Sequence, residues 1–167
     1  EWYPGETISL SIGQGPLVVT PLQASVYAAA LANRGRKVVP HLLKAPAPAW
    51  KQETASSGSV PGEIRPEIFE KIIKGMWKSV NEGGTGHFAM VEGFDVCGKT
   101  GSTQVIGRES ALRLGKDIKT HSWFIGFAPR DNPQVAVAIL VEYGGMGGAT
   151  AAPLAKELFD LYRKKYD

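Results

Sequence analysis

Cys97-Gly98-Lys99-Thr100-Gly101-Ser102-Thr103 is the stretch around which the rest of this 167-residue chain is arranged. It lies in a run from Phe94 to Val105 that carries little charge and several β-favouring residues, so the pattern predicts a strand. Glycine weakens a strand. Gly98 and Gly101 therefore indicate that another backbone or a ligand comes close at these positions.

The predicted strand carries one ammonium group and two hydroxyls in adjacent positions. Strand alternation places Lys99 and Gly101 on one face and Thr100 and Ser102 on the other. An extended ligand along the strand edge would meet a cation, hydroxyls and unpaired backbone amides, a combination that suits a ligand with a carboxylate. A Lys-Thr-Gly string also arises by chance, so the rest of the chain has to support this interpretation.

The composition is that of one globular domain, with 43% hydrophobic and 21% charged residues. The net charge is only +3, and the basic cluster Arg163-Lys164-Lys165 is typical of a helix C-terminus. No basic stripe or recognised nucleic-acid module accompanies that cluster. We therefore expect no nucleic acid among the partners.

A single cysteine excludes an internal disulfide, and one cysteine with three scattered histidines gives no metal-ligand spacing. We expect no cofactor. Cys97 is either a nucleophile or a small buried strand residue, and the lack of a histidine nearby in sequence favours the buried one. No apolar run is long enough to span a bilayer. The chain opens on Glu1 without a methionine, and we expect it to be a piece of a longer protein.

The first half of the chain predicts helices and short extended segments. Residues 7–12 alternate as in a short strand or an extended loop, and Thr20-Pro21-Leu22-Gln23 forms a capping box that starts a helix. Lys37 to Leu43 is interpreted as a short strand. A helix from Pro66 has a broad apolar stripe expected to be core: Ile68, Phe69, Ile72, Ile73, Met76, Trp77 and Val80.

The second half predicts strands and a closing helix. His121 to Ala128 and Val135 to Tyr143 form an antiparallel hairpin, and the second of them, apolar on both faces, is expected deep in the sheet. Gly144 to Gly148 is interpreted as a flexible loop. A helix from near Pro153 is expected to cover the sheet through its leucines, Leu154, Leu158 and Leu161. The predicted fold class is α+β, an antiparallel sheet packed with helices.

Several stretches together resemble the C-terminal part of the transpeptidase domain of class B penicillin-binding proteins, the penicillin-binding protein 2 group in particular. They occur in the family's order over most of the chain: Ser11-Ile12-Gly13-Gln14-Gly15, Thr20-Pro21-Leu22-Gln23, Asn81-Glu82-Gly83-Gly84-Thr85, Lys99-Thr100-Gly101-Ser102 and His121-Ser122-Trp123-Phe124-Ile125-Gly126-Phe127-Ala128-Pro129. The family usually has threonine where this chain has Ser102, and the hydroxyl is kept. The resemblance implies a partial penicillin-binding, serine β-lactamase-like fold over residues 1–167.

The resemblance also implies a reaction, in which a serine attacks the D-Ala-D-Ala bond of a peptidoglycan stem peptide and an amine resolves the acyl-enzyme. Lys99 would supply positive potential, and the hydroxyls of Thr100 and Ser102 would bind the carboxylate of the stem peptide or of a β-lactam. The Ser102 amide would donate one oxyanion-hole bond, and Gly101 would let the substrate backbone approach. The implied setting is cell-wall biogenesis and cell shape, at the periplasmic face of the bacterial inner membrane, in a membrane-anchored parent protein that works with other cell-wall synthesis proteins.

One family element is absent. The nucleophile sits in Ser-x-x-Lys, and no serine or threonine of this chain has a lysine three positions later. Ser79-Val80-Asn81 resembles the family's Ser-x-Asn element but adjoins the Gly-Gly-Thr turn, so we reject it. We expect the parent to be a serine-type D,D-transpeptidase and this chain to be inactive alone, associating with the missing half or dimerising. The alternatives are a non-catalytic penicillin-binding-like scaffold or sensor module, and a serine β-lactamase of similar fold.

Overall fold

The structure, a computed structural model, describes residues 2–15, 17–42, 64–104, 113 and 120–166. The element order is α1 (Pro4–Ser11), α2 (Pro21–Ala32), α3 (Pro66–Asn81), a 3-10 turn (His87–Ala89), β1 (Cys97–Thr103), β2 (His121–Ala128), β3 (Val135–Val141) and α4 (Ala151–Tyr166). The predicted strand at the Lys-Thr-Gly string is confirmed as β1. Its predicted last residue, Val105, lies outside the described residues.

The three strands form one antiparallel sheet in the order β1-β2-β3. Within the described ranges, the outer edges of β1 and β3 pair with no other strand. The predicted hairpin of β2 and β3 is confirmed, but among the described residues β3 is a half-buried edge strand and, contrary to the prediction, does not lie deep in the sheet. It is apolar on both faces because helices cover both: Ala136 packs with the α2 and α3 side, and Val137 and Ile139 pack with the α4 side.

Two hydrophobic clusters lie on opposite faces of the sheet. One joins α2 and α3 to the sheet through Leu31, Ala32, Phe69, Ile73, Met76, Cys97 and Phe127. The other joins α4 and the segment before β1 to the opposite face and includes Val96, Phe124, Ala155 and Phe159. The predicted α+β class is thereby confirmed, with the sheet between two helical layers.

The capping-box prediction is confirmed at α2. The Gln23 amide donates to Thr20 Oγ1 at 3.2 Å, and the Thr20 amide donates to Gln23 Oε1 at 2.9 Å. The prediction of a strand or loop over residues 7–12 is wrong, because α1 covers most of this segment. The missed signal is Pro4 at the first helical position together with Glu6, whose carboxylate accepts from the Tyr3 amide at 2.8 Å.

The predicted strand from Lys37 to Leu43 is also wrong over residues 37–42, which contain no strand, while Leu43 lies outside the described residues. Pro40 has no amide proton to donate to a ladder, which explains the failure. In α3, only part of the predicted stripe is core. Phe69, Ile73, Met76 and Val80 are buried, and Trp77 is half-buried, whereas Ile68 and Ile72 are exposed.

The last helix does not pack on the sheet through the predicted leucines. Its buried residues are Ala151, Ala152, Ala155 and Phe159, and the Phe159 ring meets Phe94 edge to face. Leu154, Leu158 and Leu161 are 41%, 47% and 63% exposed. Alanines let the helix axis come close to the sheet, so the leucine face points away. The basic cluster Arg163-Lys164-Lys165 lies in the last turn, as predicted.

Candidate functional site

β1 presents the predicted site residues on a strand with one unpaired edge. Its register with β2 pairs Lys99 with Ile125, Thr100 with Phe124, Gly101 with Trp123 and Ser102 with Ser122. Lys99 and Ser102 are exposed, and Thr100 and Gly101 are half-buried. The structure therefore brings all four predicted residues together at one accessible strand edge.

The two predicted hydroxyls each contact a loop. Thr100 Oγ1 lies 2.7 Å from Thr85 Oγ1, in the turn that follows α3. Ser102 Oγ accepts a hydrogen bond from the Gly147 amide at 3.1 Å. A hydroxyl that accepts one bond keeps its own proton to donate. Ser102 Oγ can therefore still donate to an anionic ligand.

Two side-chain donors reach carbonyl groups of β1. Lys99 Nζ donates to the Thr100 carbonyl at 2.8 Å, and Gln14 Nε2 donates to the Ser102 carbonyl at 3.2 Å. Backbone groups of alternate residues point to the same edge of a strand, so these two carbonyls share the edge that Gln14 reaches. The Lys99 ammonium lies at this edge as well, so the edge carries a positive charge.

The two glycines of β1 have different neighbours. A Cβ on Gly98 would lie 2.2 Å from the Phe124 ring, so an aromatic side chain, not a backbone or a ligand, requires this glycine. A Cβ on Gly101 would lie 3.3 Å from the Cβ of its cross-strand partner, Trp123. A Cβ added to Gly147 would lie 2.4 Å from the Gly101 carbonyl oxygen and 2.6 Å from that of Trp123. Residue 147 can therefore only be a glycine if the loop is to rest on the sheet.

The loop of residues 144–148, predicted to be flexible, is held by hydrogen bonds in the structure. Thr120 Oγ1 donates to the Gly145 carbonyl at 2.8 Å, and Thr150 Oγ1 donates to the Gly144 carbonyl at 2.7 Å. Ser122 is fully buried. Its hydroxyl donates to the Met146 carbonyl and accepts from the first amide of α4, at Ala151. The loop is thereby fixed to β2 and α4 while it contacts β1.

Residues before β1 hold the strand against α3. Asn81 Nδ2 donates to the carbonyls of Trp77 and Val96, both at 2.9 Å. Trp77 Nε1 donates to the Asp95 carboxylate at 3.0 Å. Ser79 Oγ is buried without a hydrogen-bond partner among the described residues. Asn81 thus ties the end of α3 to the start of β1, in keeping with our rejection of Ser79-Val80-Asn81 as a catalytic element.

Cys97 is fully buried in the cluster on the α2 and α3 side, and the residues of that cluster include no histidine. Burial raises the pKa of its thiol to about 12. A thiol that stays protonated at neutral pH is a poor nucleophile. The interpretation of Cys97 as a buried strand residue is confirmed.

Among the described residues, no group of histidine, cysteine and carboxylate side chains is arranged to hold a metal ion. None of the described helices has both the length and the apolar character needed to cross a membrane.

Sequence reasoning assigned no role to Gln14, Thr85, Ser122 or Gly147. Gln14 and Thr85 belong to two segments that carried the family resemblance, Gly13-Gln14-Gly15 and Gly83-Gly84-Thr85, so the sequence marked both as members of family motifs. The sequence could not show that they contact β1, because each contact is formed with a residue far along the chain or across a turn. The glycine-rich composition of residues 144–148 was the signal for close packing, and it was interpreted as flexibility.

Comparison with known proteins gives a consistent result. The sequence model of the penicillin binding protein transpeptidase domain matches residues 1–160. A curated relative, the peptidoglycan D,D-transpeptidase MrdA of Acinetobacter baumannii, is 39% identical over 99% of this chain. The chain spans 26% of the length of that relative.

Three solved structures resemble the fold. Pseudomonas aeruginosa PBP2 in complex with WCK 5153 has a TM-score of 0.76 and 33% identity, over 96% of this chain and 33% of that one. Penicillin-binding protein A from M. tuberculosis, an imipenem acyl-enzyme complex, has a TM-score of 0.68 and 28% identity, over 92% and 33%. The PBP2–MreC complex from Helicobacter pylori has a TM-score of 0.69 and 25% identity, over 96% and 28%.

Proposed function

The chain belongs to the penicillin-binding protein transpeptidase family, and from this premise we propose that it forms one wall of a peptidoglycan D,D-transpeptidase cleft. The observation that carries the proposal is the arrangement on β1. A lysine, two hydroxyls and a strand edge without a partner strand among the described residues lie together, and each hydroxyl is oriented by a hydrogen bond with a neighbouring loop.

The proposed roles follow from the donors that this edge offers. The Lys99 ammonium supplies positive potential, and the hydroxyls of Thr100 and Ser102 bind the carboxylate of a stem peptide or a β-lactam. The Ser102 amide donates to the oxyanion of the tetrahedral intermediate, an interaction worth about 3 kcal/mol in enzymes of this kind of chemistry. Gly101, without a side chain, leaves room for the substrate backbone to add beside β1.

The reaction we propose is acyl transfer through a serine acyl-enzyme. The M. tuberculosis neighbour was solved as an imipenem acyl-enzyme, which supports this chemistry. The nucleophile itself is assigned to polypeptide outside these 167 residues, since no serine or threonine here precedes a lysine by three positions. The chain alone is therefore inactive and needs the other wall of the cleft.

The setting we propose is peptidoglycan synthesis at the periplasmic face of the inner membrane. The relative named MrdA supports the substrate, and the neighbour solved with MreC supports work alongside other cell-wall proteins. The exposed leucine face of α4 and the unpaired strand edges are surfaces through which the chain would join the missing half or a second copy.

The test is covalent labelling with a fluorescent penicillin followed by intact-mass measurement, on the 167-residue chain and on the full-length gene product. We expect one acyl adduct on the full-length protein and none on the chain. Ser102→Ala in the full-length protein should slow labelling. Ser25→Ala, which removes a hydroxyl on α2 that donates to the Leu22 carbonyl, should not. An adduct on the chain alone would place a nucleophile within it. No adduct on either would favour a non-catalytic binding module.

A further inference from the structure

Gln14 contacts β1 at the position where an added strand would pair. Its Nε2 donates to the Ser102 carbonyl at 3.2 Å, across 88 residues of sequence. In an antiparallel ladder, the amide and carbonyl of one residue point to the same edge. The contact therefore uses the acceptor of Ser102 and leaves its donor, the proposed oxyanion amide, accessible.

The backbone of Gln14 is fixed by the end of α1. The Gln14 amide donates to the Ser9 carbonyl at 2.9 Å, and the Gly13 amide donates to the Leu10 carbonyl at 3.0 Å, the two bonds of a Schellman motif. Gly13 and Gly15 have φ angles of +73° and +76°, which glycine adopts without strain. The Gly-Gln-Gly sequence thus builds a tight turn that presents one long polar side chain to β1.

The side chain of Gln14 is only half-buried. α1 has no buried residue, and the Gln14–Ser102 bond is exposed to solvent. An exposed hydrogen bond of this kind contributes little net stability, since water can replace it. The glutamine can therefore rotate away about its side-chain torsions when a better donor arrives.

We propose that Gln14 is a specificity residue: its carboxamide occupies the Ser102 carbonyl until a ligand with a backbone-like amide N–H takes its place. The inference rests on the proposed function of β1 as a cleft wall. A ligand whose amide pairs with the Ser102 carbonyl displaces Gln14. A ligand without an amide at that position binds beside Gln14 and leaves the bond intact.

The experiment measures second-order acylation rate constants of the full-length gene product with two probes. Benzylpenicillin carries an amide N–H on its side chain, and imipenem carries a hydroxyethyl group without an amide there. Removal of the competing donor in Gln14→Ala should raise the benzylpenicillin rate about two- to fivefold and leave the imipenem rate within about twofold. Gln14→Glu should slow both, because a carboxylate beside this edge repels anionic ligands.

Gln134→Ala is the matched control. Gln134 is an exposed glutamine in the turn before β3, at the opposite end of the sheet, and should change neither rate. Circular dichroism and thermal unfolding verify that the variants are folded. Equal changes for both probes in Gln14→Ala, or no change for either, would overturn the inference while the proposed function stands. If the unaltered full-length protein is not acylated at all, the proposed function fails and the inference fails with it.

Discussion

The hydroxyl oxygens of Thr85 and Thr100 lie 2.7 Å apart, so the turn after α3 is hydrogen-bonded to the strand that carries the predicted binding residues. Gly148 packs closely against this turn, since a Cβ at that position would lie 2.6 Å from the Thr85 carbonyl oxygen. The loop of residues 144–148 thus touches both Thr85 and β1. Thr85 is well placed to hold the Thr100 hydroxyl in one orientation.

Thr85→Val should slow acylation of the full-length gene product by a fluorescent penicillin about two- to tenfold. The substitution keeps the shape of the side chain and removes one hydrogen bond of about 0.5–1.5 kcal/mol. Thr85→Ser keeps the hydroxyl and should stay within about twofold of the original rate. Equal rates for the valine and serine variants would contradict an orienting role for Thr85.

Gly147→Ala should destabilise the chain by about 1–3 kcal/mol, because the new methyl group would overlap the backbone of β1 and β2. It should also move the Gly147 amide away from Ser102 Oγ and slow acylation of the full-length protein. Chemical denaturation of the chain and labelling kinetics measure the two effects.

Gly75→Ala is the opposite control for this substitution. Gly75 lies in the interior of α3, is exposed, and has no atom within 4 Å of an added Cβ. Alanine there should raise the free energy of unfolding by about 0.5–1 kcal/mol through helix propensity. If both alanine variants changed stability in the same direction, the close packing of the loop would be in doubt.

Much of this arrangement was predictable from local sequence signals. The capping box at Thr20 and the alternation and turn residues around β2 and β3 act within a few residues of one another, so they can be seen in the sequence. The candidate site was predictable for the same reason, since Lys99, Thr100, Gly101 and Ser102 are consecutive.

The failures at α4, at β3 and at Gln14 involve contacts that depend on tertiary packing, whereas those over residues 7–12 and 37–42 were misinterpreted local signals. The leucines of α4 are larger and more apolar than its alanines, yet the alanines face the sheet because only small residues let the helix approach closely. The edge position of β3 could not be predicted for a similar reason. A strand that is apolar on both faces is covered on both faces, but this pattern does not show whether the strand lies in the middle or at the edge of the sheet. Gln14 was missed because its partner lies 88 residues away.

The buried thiol of Cys97 should make the free energy of unfolding depend on pH. Burial raises the pKa of its thiol from 9.0 to about 12, so above pH 9 the unfolded chain loses this proton while the folded chain retains it. The stabilisation linked to Cys97 is therefore present below pH 9 and is lost as the pH rises towards 12. Each pH unit in this window lowers the free energy of unfolding by up to about 1.4 kcal/mol.

Cys97→Ala isolates this contribution from that of the other groups that titrate at high pH. The difference in free energy of unfolding between the original chain and the variant should shrink as the pH is raised from 9 to 10.5. Urea denaturation at each pH gives the two values. A constant difference across this range would mean that the thiol is not held protonated by burial.

Leu158 and Phe159 are consecutive residues of α4, about 100° apart around the helix axis, and give a direct test of how the helix is packed. Phe159 is fully buried against Phe94 and the sheet, whereas Leu158 is 47% exposed on the leucine face. Phe159→Ala should lower the free energy of unfolding of the chain by about 3–5 kcal/mol, and Leu158→Ala should change it by about 0.5 kcal/mol or less. The prediction made from the leucine pattern alone requires the reverse order, so chemical denaturation of the two variants distinguishes the two orientations of the helix. Leu158→Ala should also weaken any concentration-dependent self-association of the chain measured by light scattering, because the leucine face is the apolar surface that α4 leaves exposed.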